Sequence, residues 1–156
     1  MSVTIRPIEA KDKEEWLNLW TGPGGYIEFY KAQSAITPEI SDTTFARFLD
    51  PTVPMYSAVA VDDSTGKVIG FANYLAHLNT WTVEDTMYLN DLFVSADNRL
   101  HGVGRKLIEH VYAETDKLGC KKCYWMTQFE NHRAQLLYTK VGVKGGFLAY
   151  FRPGDI

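Results

Sequence analysis

The sequence predicts an α+β fold, a mixed and mostly antiparallel twisted sheet flanked by helices, on two observations. Three β-rich runs, Met55–Val61, Lys67–His77 and Met87–Val94, follow one another with only turn or polar residues between them. The period then changes to helix, strand, helix and a last apolar run, which attaches a βαβ unit to an antiparallel meander.

Thr4–Ile8 forms a short first strand, placed at a sheet edge by Pro7, which has no N–H to give to a central ladder. Lys11–Trp20 is helical because Trp16, Leu19 and Trp20 share a face, and Thr21-Gly22-Pro23-Gly24-Gly25 breaks it. A second short helical region includes Ile27, Phe29 and Tyr30, and a third spans Asp42 to Leu49. Asp62-Asp63-Ser64-Thr65-Gly66 is hairpin turn chemistry between the first two β-rich runs, and the polar stretch Thr82–Asp85 leads into the third. Val103, Leu107, Ile108, Val111 and Leu118 mark an amphipathic helix that ends before Gly119, a residue suited to a left-handed C′ position. Cys123–Phe129 is another strand. Asn131 caps a helix whose face carries Ala134, Leu137, Tyr138 and Val141, Gly142 and Gly145-Gly146 stop it, and Phe147–Phe151 is a terminal strand. No repeat, low-complexity tract or linker interrupts this order, so residues 1–156 are expected to form a single domain.

Sixteen basic and nineteen acidic side chains leave a net charge of −3, so direct nucleic-acid binding, which calls for a basic domain, is not expected. Met1–Arg6 lacks the apolar core of a signal peptide, and no apolar run approaches the roughly 20 residues that cross a bilayer. The expectation is a cytoplasmic or nuclear protein without membrane contact. Cys120-Lys121-Lys122-Cys123 has the spacing of a redox pair or half a zinc site; with no second pair, two reduced thiols are expected. His77, His101, His110 and His132 show no ligand spacing, so no metal is expected.

The segment that carries chemistry runs from Leu92 to Arg105. An apolar strand, Leu92-Phe93-Val94, meets the polar turn Ser95–Asn98; then Arg99-Leu100-His101-Gly102-Val103-Gly104-Arg105 opens a helix. Unpaired amides and a partial positive charge make a helix N-terminus a phosphate site, and glycine lets a diphosphate approach the backbone. Arg99 and Arg105 can add charge-assisted bonds. A dinucleotide fingerprint needs a third glycine where Leu107 stands, and a P-loop needs a Gly-Lys-Ser/Thr that is absent. Two glycines alone leave both a phosphate cradle and a softened helix start open.

Arg99-x-x-Gly102-x-Gly104 at a strand-to-helix junction resembles the acyl-CoA signature of the GNAT N-acetyltransferase superfamily. Asn131-His132-Arg133-Ala134-Gln135-Leu136-Leu137-Tyr138 resembles its second motif, an Asn, then Ala, then Leu-Tyr. Arg47–Pro51, Ala58–Val61 and the block from Tyr124 to Gly142 are similar to the fungal branch of histone-and-other-protein acetyltransferases. Tyr88–Val94 resembles the spermidine/spermine acetyltransferases, except that Asn90 stands where they carry Glu before the aspartate matched by Asp91.

The resemblance implies the GNAT acyl-CoA N-acyltransferase fold, acetyl-CoA as cosubstrate and a primary amine as acceptor: a histone or protein lysine, a polyamine or an amino acid. It also implies a homodimer or larger homo-oligomer as a possible assembly. The backbone of Leu92, Phe93 and Val94 would pair with the pantetheine arm. Amides from Leu100 and His101 through Gly102, Val103 and Gly104 to Arg105 would hold the diphosphate. Asn131 and Ala134 would lie along the cofactor, with Tyr138 near the thioester sulfur. In the chemistry so implied, the amine attacks the thioester directly in a ternary complex. The N–H of Val94 steadies the oxyanion, and the phenol of Tyr138 protonates the leaving thiolate. With Asn90 in place of Glu, Asp91 is the first candidate for the base. Strand alternation puts Asn90 and Asp91 on opposite faces, so neither simply replaces the other. Glu28, Glu84, Asp85 and Glu130 remain further candidates, and the loop Gly22–Thr44, with Glu28, Glu39 and Asp42, would shape the acceptor pocket. The missing Glu also motivates an alternative, an acyl-CoA-binding regulatory module without catalysis.

Overall fold

A computed structural model describes residues 1–155, which fall into two compact units, Met1–Met126 and a second that begins at Thr127. The first unit is built on a five-stranded sheet in sequence order: β1 (Val3–Pro7), β2 (Met55–Asp62), β3 (Val68–His77), β4 (Thr86–Val94) and β5 (Lys122–Tyr124). The first three pairings are antiparallel and β4–β5 is parallel. The expected mixed sheet is therefore present, with proline-bearing β1 at its edge.

Three helices, α1 (Lys13–Trp20), α2 (Tyr26–Phe29) and α3 (Pro38–Leu49), separate β1 from β2. α3 begins earlier than its apolar pattern alone suggests. Pro38 occupies its first turn, and the Thr37 hydroxyl accepts from the Ile40 N–H at 3.3 Å, so capping chemistry sets the start. Trp16, Trp20, Ile27, Phe45, Val59, Phe71 and Phe93 form the core on this side of the sheet. Each such aromatic removes about 150–250 Å² from water, a gross burial of roughly 4–6 kcal/mol at about 25 cal/mol per Å². On the other face lies α4 (Val103–Lys117), presenting Val103, Leu107, Ile108 and Val111. Here the strands carry small residues, Ala58 opposite Ala72 and Ala60 opposite Gly70. A Cβ at Gly70 would stand 2.8 Å from the Phe93 carbonyl and 3.4 Å from Leu107, so the glycine permits this close approach.

Two strand expectations are corrected. Cys123–Phe129 forms a strand only over Lys122–Tyr124, because pairing with β4 stops where β4 bulges, just beyond Tyr88. Phe147–Phe151 is not a strand: a strand's N–H and C=O groups need a neighbouring ladder, and no ladder among the described residues includes this segment. In the second unit, α5 (His132–Val141) is capped as expected, Asn131 Oδ1 accepting from the Ala134 N–H at 3.4 Å, and it ends at Gly142. Gly119 likewise takes the left-handed conformation (φ 71°) after α4.

Candidate active site

A row of polar side chains crosses the otherwise apolar sheet. Ser57, Asn73 and Asp91 are register partners on β2, β3 and β4, and Ser57 and Asn73 are each only 3% exposed. The Ser57 hydroxyl donates to Asn73 Oδ1 at 2.9 Å, which orients the amide so that its Nδ2 donates to Asp91 Oδ2 at 3.0 Å. Asn90 Nδ2 donates to Asp91 Oδ1 at 3.1 Å, and the Tyr26 hydroxyl of α2 bonds to the same carboxylate.

A β-bulge makes this possible. Asn73 pairs with Asp91 but Tyr74 pairs with Leu89, so Asn90 is an extra residue in β4. The expectation that Asn90 and Asp91 point to opposite faces is thereby overturned, since an inserted residue breaks the two-residue alternation and lets both side chains meet. Burial pushes the Asp91 carboxyl above the usual range; bonds from Asn73, Tyr26 and Asn90 pull the other way without cancelling it. Burial, followed by the Asp91 charge, pushes the Tyr26 phenol far up, so it remains a neutral donor.

Above this carboxylate lies a cavity of about 280 Å³, walled by Trp20, Tyr26, Ile36, Phe48 and Leu75 and floored by Asn73, Asn90 and Asp91. A second cavity, about 350 Å³, lies between α1 and α3; its carboxylate, Asp42, is ion-paired with Lys13 at 3.3 Å. It holds no comparable convergence of donors on an acid. The first cavity is the chemical one.

The end of β4 has the geometry of an open edge. β5 contributes no partner beyond Tyr124, whereas β4 continues to Val94. The Ser95 N–H donates to the Ile69 carbonyl at 2.9 Å, which makes Gly70–Val94 a non-hydrogen-bonded pair. The N–H and C=O of Val94, and by alternation those of Leu92, therefore point away from β3, toward the side of β5. Phe93 turns its ring into the core.

The following turn is held by Arg99, whose Nε donates to the Val94 carbonyl at 2.9 Å while its guanidinium lies 5.5 Å from the Phe93 ring centre. Arg99 thus serves the turn itself. Arg105 Nε is paired with Glu109 at 2.9 Å on the exposed face of α4. Leu100 (φ 69°) and Gly102 (φ 75°) are both left-handed, and His101 between them is exposed. Gly102 is the N-cap of α4 with no side-chain cap and no heavy atom within 4 Å of where a Cβ would sit. Among the described residues, the amides of Val103, Gly104 and Arg105 have no partner; the first turn bond runs from Lys106 N to Gly102 O, at 3.1 Å. No acid occupies this first turn, so the positive end of the helix dipole is uncompensated. These features fit a diphosphate.

Asn131, Ala134 and Tyr138 lie together on α5 of the second unit, where Asn131 caps the helix and Ala134 and Tyr138 are partly buried on one face. Glu28 is exposed, accepts from the Gly24 N–H at 2.9 Å and does not line the cavity around Asp91. Sequence reasoning missed Ser57, Asn73 and Tyr26. The available signal was the lone amide in Ile69-Gly70-Phe71-Ala72-Asn73-Tyr74, an apolar run in which a buried Asn needs partners. Among the described residues, no group of His, Cys, Asp and Glu can hold a metal, and both cysteines are free thiols.

The family model for acetyltransferases of the GNAT family matches residues 14–143. The chain is 49% identical over 152 residues to the D-amino-acid N-acetyltransferase HPA3 of Saccharomyces cerevisiae, covering 97% of this chain and 91% of that protein. Among solved structures, the aminoglycoside acetyltransferase AAC(6')-Iy bound to a bisubstrate analog superimposes with a TM-score of 0.78 at 21% identity, covering 100% of both chains. Glucosamine-6-phosphate N-acetyltransferase of Arabidopsis thaliana does so at 0.76 and 18%, over 99% of this chain and 100% of that one. At such identities these two establish the fold.

Proposed function

The chain belongs to the GNAT acetyltransferase family and is an acetyl-CoA-dependent N-acetyltransferase, and from that premise we propose that it acetylates the primary amine of a small acceptor seated over Asp91. The observation that carries this reading is the Asp91 carboxylate at the base of a largely apolar cavity, three residues before the outward N–H of Val94. The yeast relative is named for a D-amino acid, a small amine-bearing molecule of the kind this cavity suits.

Acetyl-CoA supplies the acyl group as a thioester. The open amides of Val103, Gly104 and Arg105 would hold its diphosphate, and the outward N–H and C=O of Leu92 its pantetheine arm. An acceptor amine enters as an ammonium of pKa about 10.4 when lysine-like. Asp91, made more basic by burial, takes a proton from it, directly or through a water. The freed lone pair attacks the thioester carbonyl, whose oxygen gathers negative charge opposite the Val94 N–H. The C–S bond then breaks, the Tyr138 hydroxyl gives its proton to the departing thiolate, and the second proton shed by the acylated nitrogen restores the phenol. Asn90, whose presence in place of Glu motivated a non-catalytic reading, is here a donor that orients Asp91. In this proposal both units form one catalytic domain, which the family match supports by spanning residues 14–143.

Thiol release on mixing acetyl-CoA with a panel of amino acids, arylalkyl amines, polyamines and lysine peptides tests the activity; silence across the panel refutes it. Tyr138→Phe is expected to lower kcat by about 100-fold or more with little change in KM for acetyl-CoA. An unchanged kcat removes its role.

A further inference from the structure

We infer that the acceptor is a monoamine carrying an aromatic or large aliphatic group, seated in the cavity above Asp91, and not a polyamine or basic peptide. The inference rests on the acetyl-transfer reading and narrows its substrate class. The cavity offers one carboxylate to an incoming ammonium. Asp91 is its only carboxylate, and no Lys or Arg lines it. Its two tyrosines, Tyr26 and Tyr74, are both pushed up by burial and stay neutral. A single ammonium is therefore matched, whereas a second one entering the same space would be desolvated without a partner.

Aromatic walls can hold a cation over a ring face, so the exposed part of each ring matters. Trp20 is stacked between Trp16 and Tyr26, with centroids 5.3 Å away on each side and interplanar angles of 17° and 10°. With two rings stacked on it, less of its face is left for a guest, which points to contact with its edge, the positive rim of the ring quadrupole. That rim suits the face of an aromatic guest or an aliphatic chain and disfavours a cation. Ile27, Ile36, Leu75 and Met55 complete an apolar lining. The volume of about 280 Å³ lies just below the usual range of ligand sites, about 300 to 1,000 Å³, and is enough for a ring or a branched chain. No Lys or Arg of this wall pairs with an acceptor carboxylate.

The test compares 2-phenylethylamine, phenylalanine amide and leucine amide with spermidine and a histone-tail lysine peptide. Thiol release gives kcat/KM, and ligand-observed NMR gives binding without acetyl-CoA. The expected result is kcat/KM at least about 10-fold higher for the apolar monoamines, equivalent to about 1.4 kcal/mol. Thr44→Glu, which adds a second carboxylate to the wall, is expected to raise spermidine use and lower use of 2-phenylethylamine. Spermidine or the lysine peptide preferred by the unaltered protein overturns the inference while leaving amine acetylation intact. Binding of the apolar amines without turnover of any amine overturns the acetyl-transfer reading and leaves the cavity's preference standing. Neither binding nor turnover of the apolar monoamines overturns the inference.

Discussion

Replacing Asn73 by Ala removes the amide that joins Ser57 to Asp91 and so tests whether the buried row tunes the proposed base. Asn73 Nδ2 lies 3.0 Å from Asp91 Oδ2, and this bond favours the ionised carboxylate against the burial that disfavours it. A hydrogen bond to a charged group contributes about 1.5–3 kcal/mol, and each pKa unit corresponds to about 1.4 kcal/mol. Losing the donor leaves burial less opposed, so the Asp91 pKa rises further. A base must be deprotonated to act, so the acidic limb of the kcat/KM profile moves to higher pH with it. The Ser57 hydroxyl also loses its acceptor, at a cost of about 1–3 kcal/mol in a buried site, which lowers Tm by about 2–4 °C per kcal/mol in a chain of this length. The assay is thiol release from about pH 5 to 10 at subsaturating amine, with Ser57→Ala alongside. That variant breaks only the outer link and should move the limb less. A folded Asn73→Ala protein whose acidic limb stays in place refutes Asp91 as the titrating base.

Three other outcomes follow from the same geometry. Asp91→Asn should reduce turnover by about 100-fold or more and yet raise Tm at neutral pH. The folded pKa of Asp91 lies above its unfolded value, so its ionisation costs stability that is fully charged above the folded pKa and absent below about pH 4; equal Tm values at every pH contradict this. Gly102→Val places a β-branched residue at φ 75° and should cost about 1–2 kcal/mol in thermal unfolding while raising KM for acetyl-CoA, whereas Gly102→Asn should be milder. Asp12→Ala removes a carboxylate that accepts from Arg6 at 2.7 and 2.9 Å and should cost about 1.5–3 kcal/mol at neutral pH. Burial pushes Asp12 up, but Arg6 and the Glu9 N–H outweigh it and hold it below the usual range. Its contribution is therefore present above the unfolded pKa and lost as pH falls through the folded one, so the gap between variant and parent should close below about pH 4.

Much of the architecture is a local property of the chain and was legible there. The face of α4 repeats at 3.6-residue spacing, and Gly102 and Gly119 occupy left-handed positions at either end of it because L side chains resist that conformation. The turn proposed to hold the diphosphate was equally legible as a geometry, since unpaired amides follow from any helix start and the glycines and Arg99 stand within a few residues of each other. Arg99 was less so: its residue type suggests a ligand contact, but only the fold shows its Nε spent on the Val94 carbonyl.

The proposed base and its setting belong to the other category. Ser57, Asn73 and Asp91 are 16 and 18 residues apart and meet only because three strands pair in one register. The bulge that brings Asn90 beside Asp91 is a mismatch between two strands, invisible in either alone. The same mismatch ends β5 at Tyr124, against the apolar run that continues past it, and Phe147–Phe151 lacks a ladder despite its composition. Periodicity and capping report what a segment prefers with its own neighbours. Register, the burial of a carboxylate and the shape of a cavity are set by which distant segments pack together, and those were decided by the tertiary structure.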